Sequence, residues 1–351
     1  MPTVEVIEAT SSKRRLCFIC FHPKKPAEIT CHFISSYGAC GDPNEASLSI
    51  WLRSVYTAAT LAHMGPLIEL KDGKQHLSPE CYTGLDAFSP HRGVVEGSNF
   101  VLVRSCEEFE SNYLNLIQKT FEKHFRSQFN IGLLPPKTGE SKNASRWADT
   151  CKWLDGREPK SVLYVGFGSE YKMPLNEIHE LAYSVELSRL PFLWILRKPI
   201  GVDTRDLLSP GFVRRTRSQG LVVLGWAPQQ QILAHPAIGG CFFHSGWGTS
   251  IESLAHGHPL ILLPMVADQG LTAKLLVENQ VAHEVPRNED GTFSRGVVAE
   301  SIRRVLVEEQ GKQLRLKATQ LQTVFGDHER QDNYVNKFMD HLKNITTQKQ
   351  V

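Results

Sequence analysis

From about Asn99 onward, short apolar runs alternate with helical patterns, and no other feature of the sequence constrains the fold as strongly. The runs are Phe100 to Val103, Val162 to Val165, Phe192 to Ile195, Leu221 to Leu224, Gly240 to Phe243 and Leu260 to Leu263. This rhythm is the mark of consecutive βα units around a parallel sheet. Between the runs, Ile178, Leu181, Ala182 and Val185 recur at the three- and four-residue spacing of a helix face packed on a sheet. The fold class expected is therefore α/β.

The stretch from Pro135 to Ser145, rich in Pro, Lys, Gly, Ser and Asn, interrupts the rhythm and reads as an interdomain linker. We place the first domain at residues 1–140, the second at 141–328 and a closing helical segment at 329–351. Arg295 to Glu308, Gln313 to Val324 and Glu329 to Leu342 read as three helices near the end. Before about residue 95 the rhythm is lost among Pro23, Pro26, Gly38, Gly41 and Pro43, so the first domain reads as incomplete or divergent at its opening.

A chain of 351 residues can bury two cores of ordinary domain size. Its 39 basic and 37 acidic residues leave a formal charge of +2, which offers no basic field for nucleic acid or an anionic membrane. A small-molecule partner is the better expectation. Leu16 to Phe21, after Ser11-Ser12-Lys13-Arg14-Arg15, is shorter than a signal-peptide core and lacks a small-residue cleavage site, so it reads as a buried strand. No apolar run approaches the ~18 residues that span a bilayer. Eight scattered cysteines do not make a disulfide framework, and a cytoplasmic protein with reduced thiols is expected. In that setting the Asn-x-Ser/Thr matches at Asn143 and Asn344 have no bearing.

The chemistry concentrates in Trp226-Ala-Pro-Gln-Gln-Gln, Gly239-Gly-Cys-Phe-Phe-His244-Ser-Gly-Trp-Gly-Thr-Ser250, Glu252, Gly257-His-Pro259 and Asp268-Gln269. It reads as two strand-loop-helix units. The run ending at Phe243 enters His244-Ser245-Gly246-Trp247-Gly248-Thr249, where glycines let backbone approach a ligand and Thr249 and Ser250 can cap the next helix. A helix amino terminus flanked by a hydroxyl and an imidazole is a ready phosphate site. Trp226, just after Leu221 to Leu224, offers a flat face for a base. Trp247, Phe242 and Phe243 read as core residues, and His235 as a structural residue at a helix end.

This stretch closely resembles the signature box of the plant secondary-product UDP-glycosyltransferases, and it fills the 44 residues of that box from Trp226 to Gln269. Trp153-Leu154-Asp155 before Ser161-Val-Leu-Tyr-Val-Gly-Phe-Gly-Ser169 also resembles the opening of that family's second domain. The resemblance implies a glycosyltransferase-B arrangement of two Rossmann-like domains, the donor in the second and the acceptor in the first. It implies that Trp226 stacks on uracil, the Ala227 backbone pairs with the uracil edge, and Gln229 and Glu252 reach the ribose. His244, Gly246, Gly248, Thr249 and Ser169 would surround the diphosphate, and Asp268 and Gln269 the sugar hydroxyls. The partners implied are a UDP-sugar and a lipophilic small-molecule acceptor.

Two residues depart from the commonest box. Gly248 stands where asparagine is usual, which removes one phosphate contact, and Ser245 stands where cysteine is usual. Gly248 together with Gly257-His258-Pro259-Leu260 resembles the rhamnosyltransferase-like branch, whose members add a sugar to an already glycosylated flavonoid, saponin or steroid. No Asp-x-Asp occurs, so no metal and no cofactor are expected, and the leaving-group charge falls to His244, the hydroxyls and a helix dipole.

In that family a first-domain histidine deprotonates the acceptor hydroxyl, which attacks the anomeric carbon with inversion. No residue here takes that role on sequence grounds. His22 follows an apolar run, but Pro23 and Pro26 occupy the place of the next helix and no glycine precedes it, so a histidine in a turn is the favoured reading. Cys17, Cys20, Cys31, His22 and His32 fit no standard zinc spacing. Two functions stay open: an inverting transferase, or a nucleotide-sugar-binding remnant lacking its general base. An NAD-linked oxidoreductase is excluded because no Gly-x-Gly-x-x-Gly follows a strand.

Overall fold

The computed structural model describes residues 16–21, 29–34, 48–53, 100–121, 128–135, 147–168, 171–266 and 269–348. The chain divides into two compact units, one made of Met1–Leu134 with His328–Val351 and the other of Pro135–Asp327.

The second unit is built on six strands: β6 (Val162–Gly166), β7 (Phe192–Leu196), β8 (Gly220–Leu224), β9 (Ile238–Phe243), β10 (Leu260–Leu262) and β11 (Ala282–Glu284). Their order is β11-β10-β9-β6-β7-β8, and every pair is parallel. The chain runs outward from β6 to β8, then returns to the other side of β6 to begin β9. All βα units expected from the apolar runs are present, with strand ends moved by a residue or two. β11 was not legible, because Ala-His-Glu is short, polar and half-exposed at the sheet edge.

The helix Leu175–Ser188 joins β6 to β7 and buries Ile178, Leu181, Ala182 and Val185 completely, all at 0% exposure. With the helix Arg295–Leu306 it covers one sheet face, where Val298, Ile302 and Val305 meet Val165, Trp194, Phe242 and Ile261. Full burial of each such side chain is worth about 1.5–3 kcal/mol, so this cluster holds the strand ends in place. The 310 turn Glu309–Gly311 and the helix Lys312–Phe325 follow.

In the first unit, β1 (Leu16–Phe21), β2 (Ile29–Ile34), β3 (Leu48–Arg53), β4 (Phe100–Val103) and β5 (Gln128–Asn130) form a sheet of order β2-β1-β3-β4-β5. β1 is antiparallel to both neighbours, whereas β3, β4 and β5 are parallel. The last helix, His328–Gln348, packs in this unit. Gln331 Oε1 accepts from the Leu133 amide at 2.7 Å, and Tyr334 Oη accepts from the Glu107 amide and donates to Glu108, both at 2.9 Å. Gly132, at φ +75°, permits this approach, since a Cβ there would lie 2.7 Å from Gln331 Oε1. His22 lies outside the described residues.

Candidate functional site

Adjacent strands β6 and β9 are connected onward to opposite sides of the sheet, so the loops at their carboxyl ends diverge and leave a crevice. That switch point is where open α/β sheets bind ligands. It is lined by Phe167 and Gly168 after β6 and by His244 to Gly246 after β9.

His244 is clamped between two glycines. A Cβ at Gly168, itself at φ +65°, would lie 2.6 Å from His244 Cε1, and one at Gly246 would lie 2.8 Å from Nε2. Any other residue at either place would push the ring away. Burial pushes the imidazole down to about 4, against the opposing pull of the Gly166 carbonyl, so the ring is neutral at physiological pH. Nδ1 is buried with no hydrogen-bond partner among the described residues. A buried polar atom without a close partner costs about 1–3 kcal/mol.

The helix Trp247–Ala255 starts directly after this histidine, with Gly246 as its amino-terminal boundary at φ −63°, ψ 134° and no side-chain cap. Thr249 and Ser250, expected as caps, instead lie within the first turn, because the extended Gly246 starts the helix before them. Ser250 Oγ donates back to the Gly246 carbonyl at 3.0 Å. The first backbone bond of the helix runs from Ser250 N to Gly246 O at 3.0 Å, so the amides of Gly248 and Thr249 have no acceptor inside it. These uncapped amides and the helix dipole attract an anion. Ser245 holds the turn at φ +60°, and its hydroxyl lies 2.7 Å from the Gln269 carbonyl and 2.6 Å from that of His244.

Trp226 follows β8 and is 51% exposed, although its indole is the type of surface a fold normally hides. Its ring meets the edge of buried Trp147, with centroids 6.1 Å apart and planes at 68°. Beside it opens a cleft of about 410 Å³ lined by Arg197, Lys198, Thr204, Leu224, Gly225 and Trp226. A held, exposed aromatic face at a cleft suits a planar base. Ala227 is buried, and Pro228 leads into the short helix Gln229–Leu233.

The Gln229 carboxamide is almost fully engaged. Its oxygen accepts from Tyr164 Oη at 2.8 Å, and its Nε2 donates to Glu252 Oε2 at 2.6 Å and to Thr249 Oγ1 at 3.3 Å. Gln229, Thr249 and Glu252, named separately in the sequence, thus form one cluster. Tyr164 was missed by sequence reasoning, because a tyrosine inside the apolar run of β6 reads as core. The only available signal was its hydroxyl, which a buried tyrosine must satisfy.

Gln269, 3% exposed, opens the helix Gln269–Glu278. Its Oε1 accepts from the amides of Met265 at 2.8 Å and Val266 at 3.0 Å, which fixes the loop before it. Arg287 secures the same loop by donating to the Pro264 carbonyl at 2.5 Å. Ser169 and Asp268 lie outside the described residues. His235 pairs with Asp155 at 3.1 Å and accepts from the Ala237 amide at 3.2 Å, while Trp247, Phe242 and Phe243 are buried in the core. Among the described residues no group of three or more His, Cys, Asp and Glu is placed to hold a metal, and no helix is long and apolar enough to cross a membrane.

Comparison with known proteins bears on this geometry. The family model described as "UDP-glucoronosyl and UDP-glucosyl transferase" matches residues 120–325. UDP-glycosyltransferase 91A1 of Arabidopsis thaliana is 42% identical over 254 residues, covering 71% of this chain and 53% of the relative. Soyasaponin III rhamnosyltransferase of Glycine max is 41% identical over 248 residues, covering 69% and 52% respectively. The chain thus spans about half the length of these curated relatives. A solved UDP-glucosyltransferase from Polygonum tinctorium, described as capable of glucosylating indoxyl and in complex with 3,4-dichloroaniline, superposes with a TM-score of 0.70 at 27% identity. The match covers 82% of this chain and 69% of that one.

Proposed function

The chain belongs to the UDP-glucoronosyl and UDP-glucosyl transferase family, and from that premise we propose that its second unit binds a UDP-sugar for inverting transfer to a hydroxyl of a plant small molecule or its glycoside. The observation that supports this reading best is the neutral, glycine-clamped His244 beside the amino terminus of the Trp247–Ala255 helix, which no side chain caps, at the switch point.

In this reading Trp226 stacks on the uracil, and the backbone of Ala227 meets its edge. Glu252, with Gln229, takes the ribose hydroxyls. The diphosphate lies across the helix amino terminus, between His244, Gly246, Gly248, Thr249 and Ser169. Asp268 and Gln269 receive the sugar hydroxyls. As the anomeric carbon–oxygen bond breaks, negative charge grows on the departing phosphate. Neutral imidazole and backbone amides then stabilise it as fixed donors, with no metal or cofactor required. A histidine with a pKa of about 4 is a poor base for an alcohol, so His244 belongs to the leaving group and not to the acceptor.

The acceptor is proposed to be a lipophilic metabolite that already bears a sugar, such as a flavonoid or saponin glycoside. The Glycine max relative, a soyasaponin III rhamnosyltransferase by name, supports that class. The test is product formation from UDP-rhamnose and UDP-glucose with such glycosides, with and without chelator. The proposal expects a β- or α-linked product of inverted configuration at the same rate in both. Transfer that stops with chelator and returns with magnesium would overturn the metal-free mechanism.

A further inference from the structure

The Tyr164 hydroxyl lies over Gly166, the last residue of β6, where an added Cβ would come within 2.7 Å of it, and the residue is 1% exposed. Its bond to Gln229 at 2.8 Å is one link of a directed chain that ends on Glu252 at 2.6 Å.

The direction of that chain is fixed by chemistry. An ionised carboxylate only accepts, so the amide nitrogen of Gln229 must face Glu252. The amide oxygen then faces Tyr164, which must donate. A flipped amide would set its oxygen against the carboxylate and leave the phenol with no acceptor. Burial, with the nearby Glu252 charge adding to it, holds the phenol well above its usual range, so the donor stays protonated. Donors in series polarise one another in a low-dielectric interior. Thr249 Oγ1, 3.3 Å from the same Nε2, ties the unit to the first turn of the helix.

We propose that Tyr164 is a positioning residue for the donor: through Gln229 it fixes the Glu252 carboxylate in the orientation that receives the two ribose hydroxyls. This rests on the donor-site reading above. Tyr164 touches no ligand. Gln229 is an intermediary whose own bonding capacity is largely consumed by Tyr164, Thr249 and Glu252, so the ribose is read chiefly by Glu252. The hydroxyl of a core tyrosine thereby sets a preference for ribose over deoxyribose about two residue layers away.

The test is a ligand cycle, with UDP and 2′,3′-dideoxy-UDP titrated into the full chain and into Tyr164→Phe. Removing the phenol hydroxyl should weaken UDP about three- to tenfold, the range for one neutral hydrogen bond. The dideoxy analogue should change less than about twofold, so the ratio of the two affinities collapses. Gln229→Met, at a half-buried position, breaks the chain from the other side and should reproduce that collapse even if Tyr164→Phe does not fold. In a Glu252→Gln background, Tyr164→Phe should add nothing. Equal weakening of both ligands would mean that Tyr164 merely supports the fold, and it would overturn the proposal, as would an unchanged ratio in both variants. Failure of the unaltered chain to bind UDP at all would instead overturn the donor-site reading on which the proposal rests.

Discussion

Trp226 is the residue at which energy and exposure conflict most openly. Leaving an indole 51% exposed forgoes burial, and the edge contact with Trp147 holds it in one orientation. A base stacked on an aromatic face is worth about 1–3 kcal/mol. Trp226→Ala should therefore weaken UDP roughly five- to hundredfold, while Trp226→Phe keeps part of the affinity. Calorimetry on the three proteins decides this, and equal affinities would place the base elsewhere. Residue identities in the box were legible because each is a distinct chemical type at a fixed spacing. Their mutual contacts were not. Nothing in the spacing of Gln229, Thr249 and Glu252 announces that one carboxamide bonds to both of the others, or that Tyr164 supplies the third bond.

At the scale of elements, the site is two turns after two parallel strands. The turn after β6 depends on Gly168, whose φ of +65° costs another residue about 1–2 kcal/mol and whose missing Cβ makes room for His244. Gly168→Ala should lower the free energy of urea unfolding by that amount. It should also weaken UDP more than tenfold by displacing the imidazole, as paired denaturation and titration curves would reveal. A loss of stability without loss of affinity would mean that His244 does not face the diphosphate. The strands themselves were legible from apolar runs, and the Leu175–Ser188 helix from its periodic face. The helix start at Trp247 was not, because Thr249 and Ser250 look like caps until the extended Gly246 is seen to begin the helix before them. β5 and β11 escaped because Gln-Phe-Asn and Ala-His-Glu lack the apolar content that signals a strand.

Over the whole molecule, the fold class is α/β of the glycosyltransferase-B type, and the second unit has an acid-sensitive core. Burial lowers His244 to about 4 and His258 to about 3, both below the unfolded value of 6.5. The unfolded chain therefore takes up these protons first as pH falls. Stability from the neutral rings is complete above pH 6.5 and is lost progressively from there down to about 4 for His244 and about 3 for His258. Each such proton changes stability by about 1.4 kcal/mol per pH unit. His258, whose Nε2 lies 2.7 Å from the Leu233 carbonyl, is remote from the crevice, so His258→Asn should flatten the pH dependence of unfolding without changing UDP affinity at pH 7.5. An unaltered slope would remove His258 from that account. The parallel strands of the second unit and the place of the box residues at their carboxyl ends follow from a rhythm visible in the sequence, whereas the strand order and its switch point do not. The arrangement of β1 to β3 does not, since its antiparallel pairs break that rhythm. We propose that the crevice between β6 and β9 is a metal-independent UDP site. Its most direct test is calorimetric titration of the full chain with UDP in the presence of chelator. Saturable one-to-one binding is expected, lost in His244→Ala and unchanged by added magnesium. Absence of saturable binding, or binding that appears only with a divalent metal, would contradict it.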